Sequence, residues 1–372
     1  KEKYSFESND VIDLIHDYSF HKGEDLTVLQ KAVEQKQYPL ALREIYNFMN
    51  RLKEIILSPE KTEAVENIYY KRHIAAGIPS MYGEYREPKF DALGLMYKLE
   101  RVAAKMMNQI LQYFNSEYIT AKTFRQIYDI LELFKDGLEL DGIYNQGFNS
   151  HIDMLRFSLA SPSFSIDQYV NIFEFMANDI KQIIREYFFD IFESPMKVII
   201  PQLHADNLPE SEGELRKLYH IESERFLRDN LSTAFLVQDL DNFITDIIDV
   251  LRNLTNAYPK DIIKSMMTYD PDLTFSPLSQ HTEDIDNPVF LGAKAYFLKK
   301  LKEYQFPVPS GFVITTEVFR HIETINTIPE MMRDFDLLIE NHIAKVEDLT
   351  GKYFGKADNP LFFSIRSGSS IS

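Results

Sequence analysis

Along most of the chain, apolar residues recur every three or four positions instead of alternating, the spacing that gathers them on one face of an α-helix. Over residues 90–114, Leu93, Met96, Tyr97, Val102, Met106, Met107, Ile110 and Leu111 fall mostly on one stripe. Lys98, Glu100, Arg101 and Lys105 lie away from it, so the segment is predicted to be a long amphipathic helix. The same pattern predicts helices over residues 38–57, 121–138, 166–192, 212–228 and 233–254. Thr120 and Ser232 precede two of them and are expected N-caps, because a hydroxyl oxygen can accept an unpaired first-turn N–H. Six or more helices without a fixed repeat period predict a bundle or helical array, not a regular solenoid.

Near Asn287 the rhythm changes. Phe312-Val-Ile-Thr-Thr316 and Leu361-Phe-Phe-Ser-Ile365 are short β-rich runs separated by helix-patterned residues, and a helical pattern over residues 294–304 precedes the first. Helix, strand, helices, strand is the order of an α/β layer. Charge shifts at the same place: residues 285–372 carry 10 basic and 11 acidic side chains, whereas residues 1–284 carry 30 and 46. The intervening stretch is polar and punctuated by Asp270-Pro271, Ser276-Pro277 and Asn287-Pro288. The expected organisation is an all-helical domain over 1–270, a linker over 271–287, and an α/β segment over 288–372.

The composition of the 372 residues narrows the chemistry. A net charge of −17 repels phosphate backbones and anionic lipid, arguing against nucleic acid and membrane partners. With no cysteine there is no disulfide framework, thiolate nucleophile or Cys-based metal site, and a reducing, cytoplasmic location is expected. No apolar run has the length of a membrane span and no signal peptide is visible; the chain opens on Lys1, so the native start is expected to be missing. The sequons at Asn230 and Asn253 lie in helical patterns and are read as chance.

Two local motifs suit phosphate. In Leu291-Gly-Ala-Lys-Ala-Tyr-Phe-Leu298, a flexible turn at a helix start presents N–H groups beside a lysine. Residues 291–302 hold Lys294, Lys299, Lys300 and Lys302 and no acid. In Arg366-Ser-Gly-Ser-Ser370, an arginine and hydroxyls stand at the carboxyl end of an apolar strand, where ligands of open α/β sheets gather.

With Pro307-Val-Pro-Ser-Gly-Phe-Val-Ile-Thr-Thr316 between them, the order resembles the N-terminal nucleotide-binding domain of the phosphoenolpyruvate synthase and pyruvate phosphate dikinase family, of ATP-grasp type. The resemblance covers about residues 288–372, and its specific matches are residues 307–316 and 364–368; the lysine motif departs from the family at Ala293, where a second glycine is usual. It implies a partial ATP-grasp-like fold, with Lys294 and Arg366 touching ATP phosphates, Gly292 letting the backbone approach, and Ser367 donating to phosphate. Ser369 is a further candidate donor. The family's reaction is a relay in which ATP phosphorylates a histidine on a mobile carrier domain and the phosphoryl group passes to pyruvate at a separate pyruvate/PEP-binding barrel. ATP and Mg2+ are therefore the implied cofactors, with metal ligands, carrier domain and barrel expected beyond residue 372. No metal ligand is assigned within the 372 residues, and the segment is not expected to be active by itself. The nine histidines lack the carrier's Thr-Ser-His setting and are read as surface or helix-packing residues. The alternative reading is a helical protein-interaction or regulatory module attached to a degenerate nucleotide-binding domain.

Other features are set aside. Residues 71–90, rich in Gly, Pro and Tyr, are read as a long connection between helices pinned by Tyr82 and Tyr85. Gly351-Lys-Tyr-Phe-Gly-Lys-Ala357 has one residue too few between its glycines for a P-loop and reads as a helix C-cap and turn. Asp239, Asp241, Asp246 and Asp249 lack the ligand spacing of a calcium loop.

Overall fold

The computed structural model describes residues 11–16, 18, 26–60, 65–72, 79–114, 117–161, 164–205, 209 and 211–366. The fold is mainly helical. Helices α1 (Val11–His16), α2 (Thr27–Glu34) and α3 (Tyr38–Leu57) are followed by strands β1 (Val65–Arg72) and β2 (Pro79–Arg86). Then come α4 (Pro88–Tyr113), α5 (Ala121–Leu140), α6 (Gln146–Leu159), α7 (Ile166–Ile183), α8 (Asp190–Leu203), α9 (Glu212–Thr233), α10 (Val237–Ala257) and α11 (Lys260–Thr268). The remainder comprises β3 (Phe275–Pro277), α12 (Pro288–Glu303), β4 (Phe312–Ile314), α13 (Thr316–Arg320), α14 (Ile322–Thr327) and α15 (Pro329–Thr350). Among the described residues, no helix is long and apolar enough to cross a membrane.

The chain divides into two compact units. The first comprises residues 1–114, 129–153 and 174–245, the second residues 115–128, 154–173 and 246–372, so the division falls inside α5, α6, α7 and α10.

In the first unit α3 packs chiefly against α4. The buried face of α3 is Ala41, Leu42, Ile45, Tyr46, Phe48, Met49 and Leu52, meeting Ala92, Leu95, Met96, Leu99, Ala103, Met107 and Ile110 of α4. Phe243 adds ring contacts to Phe114 at 5.5 Å and Phe134 at 6.0 Å. Gly137 lets two other side chains close in: a Cβ there would stand 2.5 Å from Leu236 Cδ1 and 2.8 Å from the Tyr46 hydroxyl.

Several elements differ from expectation. The helix expected over 166–192 is interrupted by a wider π-helical segment, Ile184–Phe189, before α8 continues it. Residues 71–90, expected to connect two helices, instead supply the end of β1 and all of β2, an antiparallel pair with Val65 opposite Arg86 and Arg72 opposite Pro79. Pro79 opens β2 and Pro88 opens α4, while Gly83 lies within β2 opposite Ile68, and Ile68, Tyr69 and Tyr70 have the residue types that favour strands. Tyr82 stands opposite Tyr69 and Tyr85 opposite Glu66 in this register. Thr120 caps α5 as expected, accepting from the Thr123 N–H at 3.2 Å. Ser232 does not cap: it lies in the last turn of α9 and donates to the Asp229 carbonyl at 2.8 Å. The short polar side chain finds an acceptor in its own helix, and α10 starts only after Leu236, whose φ is 61°.

The second unit is built around β3 and β4, which pair antiparallel with Ser276 opposite Val313. Phe275 anchors its core, with the rings of Phe312 at 5.8 Å, Phe335 at 5.6 Å and His342 at 4.6 Å. Gly351, in the left-handed conformation with φ of 64°, ends α15, as the cap reading of that motif expects. The strand expected over 361–365 does not form. Leu361 is buried and the apolar run is present, but a β-ladder needs a neighbour, and among the described residues only an isolated bridge, Tyr353 to Pro360, lies beside it. Among the described residues a complete α/β layer is thus not seen; β4 pairs with β3, which lies in the stretch predicted as linker.

Candidate functional site

The proposed phosphate-contacting residues lie in the second unit. Asn287 caps α12, its side-chain oxygen accepting from the Val289 N–H at 2.9 Å and the Phe290 N–H at 3.2 Å. Within the second turn of α12, Gly292 leaves the helical conformation with φ of 70° and ψ of 160°. That region of backbone space is essentially closed to side-chain-bearing residues, so glycine is required here. The break opens a second helix start at Ala293, and Lys294 stands exposed in its first turn.

Arg366 is the last described residue. It is exposed, and its Nε lies 3.5 Å from the Ser364 hydroxyl. Ser367 and Ser369 lie outside the described residues. An open groove of about 560 Å³ in this unit is lined by Asn326, Pro329, Met332, Arg333, Asp336, Leu337 and Glu340, and so by neither Lys294 nor Arg366. Among the described residues, no group of three or more His, Asp or Glu side chains is placed to hold a metal ion.

The four lysines of residues 291–302 are not equivalent. Lys300 pairs with Glu303 at 2.7 Å on the surface. Lys299 is buried: its Nζ donates to Asp286 Oδ1 at 2.5 Å and to the Ser276 hydroxyl at 2.6 Å, and Ser276 in turn donates to Asp286 at 2.9 Å. The other Asp286 oxygen accepts from the Thr282 N–H at 2.9 Å and lies 2.9 Å from His281 Nδ1. Burial alone would raise the Asp286 carboxyl, but hydrogen bonds from Lys299, Thr282 and Ser276, with the lysine's charge, hold it below the usual range. The stretch that is purely basic in sequence is therefore partly neutralised in space by Asp286 and Glu303.

A second polar cluster surrounds His321. The hydroxyl of Ser265 on α11 lies 2.9 Å from His321 Nδ1 and accepts from Thr324 at 2.6 Å, while His321 Nε2 lies 3.3 Å from Glu317 Oε1. Glu317 also accepts from the Asp270 N–H at 3.2 Å and from Arg320 at 3.1 Å. Burial pushes its carboxyl up, yet the His321 and Asp270 hydrogen bonds and the neighbouring positive charges leave it lowered. His321 and Glu317 are both buried, and the network fastens α11 to α13 and α14 by satisfying their polar atoms. No sequence spacing advertises it, because its members stand up to 59 residues apart.

No protein-family model matches the chain, and no solved structure matches it. Part of it is similar to curated pyruvate, phosphate dikinases. It is 38% identical to that of Rickettsia conorii over 82 residues, 22% of this chain and 9% of the relative. It is 38% identical to that of Entamoeba histolytica over 90 residues, 24% and 10% of the two chains, and 34% identical to that of Clostridium symbiosum over 82 residues, 22% and 9%. The match thus spans about a tenth of the length of these relatives.

Proposed function

We propose that the chain is part of an ATP-dependent phosphotransferase related to the pyruvate, phosphate dikinases, in which residues 288–372 supply the first part of an ATP-grasp-like nucleotide domain. The observation that carries the reading is the helix break at Gly292. It places a glycine-only backbone, a fresh helix start and the exposed Lys294 within three residues, in the order that the family resemblance requires. The length of the similarity to dikinases, 82 to 90 residues, is close to that of the 288–372 segment.

In this reading the backbone at residues 292–294 receives phosphate oxygens, and the Lys294 ammonium supplies a point charge beside them. The Arg366 guanidinium offers paired donors to the same anion, and Ser367 is a further donor. Mg2+, when bound with the nucleotide, neutralises charge on its phosphates. The role of these residues is to bind and orient the polyphosphate; the phosphoryl acceptor, the carrier histidine domain and the pyruvate/PEP-binding barrel are what the family resemblance implies beyond these residues.

Isothermal titration of ATP with Mg2+ tests the reading. Lys294→Ala and Arg366→Ala are each expected to weaken binding about tenfold or more, as loss of a charge-assisted contact does. Binding that is absent in the unsubstituted protein at millimolar ATP, or unchanged in both variants, overturns it.

A second reading, a helical interaction module with a degenerate nucleotide domain, draws on α8 and α9 in the first unit. On α8, Ile191 is 57% exposed, Val198 59% and Leu203 72%. Helix α9 buries no residue at all. Recovery of a protein partner on α8 in the absence of nucleotide, abolished by Val198→Glu, favours this reading over the first.

A further inference from the structure

We propose that Asp286, Lys299 and Ser276 form a buried clamp that positions the helix restart carrying Lys294, so that Lys299 governs nucleotide affinity without touching the nucleotide. The inference rests on the phosphate-binding reading of Lys294.

A continuous helix transmits its orientation through its own hydrogen-bond ladder. The backbone at Gly292 interrupts that ladder, so the direction of residues 293–303 has to be fixed by side chains. The two buried residues of α12 are Leu291, before the break, and Lys299, after it. No apolar side chain of α12 beyond the break is buried; Ala295, Tyr296 and Leu298 are half-buried, and Phe297 and Leu301 are exposed at 64% and 43%. A lysine in the position that normally belongs to a leucine is costly unless its charge is fully met. Here it is met from both directions. Asp286 stands just upstream of the break and Ser276 lies on β3, so one ammonium joins the segment before Gly292, the helix after it and the sheet.

The placement is directional. Lys294 and Lys299 are five residues apart, which on a helix puts them on nearly opposite faces. Holding Lys299 inward therefore holds Lys294 outward. Asp286 is itself restrained through its second oxygen by Thr282 and His281, so the anchor cannot swing with the helix. Ion pairs of this kind contribute geometry more than net stability, because an apolar pair of similar volume would stabilise at least as well.

The test is titration of ATP with Mg2+ into the full chain, at a temperature where circular dichroism shows each variant folded, combined with hydrogen exchange at residues 293–298. Lys299→Met keeps most of the side-chain length and removes the charge; it is expected to raise Kd about tenfold and to speed exchange in that segment. Ser276→Ala removes one hydrogen bond and is expected to raise Kd about threefold, and it serves where Lys299→Met fails to fold. A clamp with only a structural role would lower the melting temperature and leave the Kd of the folded variants unchanged. That result, in a protein that binds ATP, overturns the positioning role and leaves the phosphate-binding reading intact. Absence of ATP binding in the unsubstituted chain overturns both.

Discussion

The Tyr118 hydroxyl donates a 2.6 Å hydrogen bond to the Asp334 carboxylate, 216 residues further along the chain, within the second unit. Tyr118 is 9% exposed, and burial together with the adjoining carboxylate pushes its phenol well above the ordinary range. Tyr118→Phe keeps the ring and deletes the donor. Because the acceptor is charged and retains Arg333 only at 3.8 Å, the expected cost is about 1–2 kcal/mol. Chemical denaturation of the two proteins measures it; an unchanged midpoint would mean that solvent satisfies Asp334 equally well.

Gly137 sets two opposing effects against each other. In the last turn of α5, Gly→Ala raises helix propensity by at most about 1 kcal/mol. The added methyl would meet Leu236 at 2.5 Å and the Tyr46 oxygen at 2.8 Å, and overpacking of that kind costs about 1–3 kcal/mol. The steric effect is expected to win, giving a lower melting temperature for Gly137→Ala.

Tyr46 itself carries a buried hydroxyl with no hydrogen-bond partner among the described residues. Tyr46→Phe removes a polar atom that is already desolvated and unpaired, so stability is expected to hold or to rise by up to about 1 kcal/mol. Tyr46→Phe also removes one of the two close contacts at Gly137, leaving that with Leu236, so the cost of Gly137→Ala is expected to shrink in part. A double-mutant cycle in thermal unfolding reads that coupling.

Glu100 makes the first unit sensitive to pH. Burial first, and the negative charge of Asp141 second, push its carboxyl up to about 7 against the opposing effect of Arg101. Between the unfolded value near 4.5 and the folded value near 7, the folded state keeps a proton that the unfolded state releases. Stability therefore falls as pH rises through this window and levels off above it. Glu100→Gln, neutral throughout, is expected to flatten the slope and to be more stable than the original at pH 8 by about 1–2 kcal/mol, a figure reduced for partial solvent exposure. Urea unfolding at pH 5 and pH 8 decides it: parallel pH dependence in both proteins rules Glu100 out as the source.

Gly292→Ala tests the break directly. The conformation it occupies costs a side-chain-bearing residue about 1–3 kcal/mol. If the backbone yields by closing the break, α12 becomes one regular helix. The expected signature is increased helical ellipticity with weakened ATP binding.

Much of the helical architecture was legible because apolar periodicity is a local signal. Tyr38–Leu57 and Pro88–Tyr113 follow directly from which residues need burial. Capping was legible at Thr120 and not at Ser232, since a hydroxyl inside a last turn bonds back to its own helix as readily as a hydroxyl ahead of a first turn bonds forward. Strands were read less well. Their partners are set by tertiary pairing, so Phe275–Pro277 gave no periodic signal over three residues, and the apolar run of 361–365 did not predict whether a neighbour would be there. At the candidate site, the glycine break and the exposed lysine were visible as a motif. The Asp286–Lys299–Ser276 clamp was not, because a lysine in a basic run gives no sign that it points inward until the helix face is known.

The wider turn at Ile184–Phe189 has a rotational consequence. Counted straight through at 100° per residue, the inward side of α7, marked by Met176, Ile180 and Ile183, would carry on to Ile191 and Val198. That is not the face α8 buries: Ile191 and Val198 are 57% and 59% exposed, and its buried residues are Met196 and Ile200. The wider turn advances fewer degrees per residue, so the straight count does not carry across it, and α8 turns toward solvent what an unbroken helix would have sealed inside.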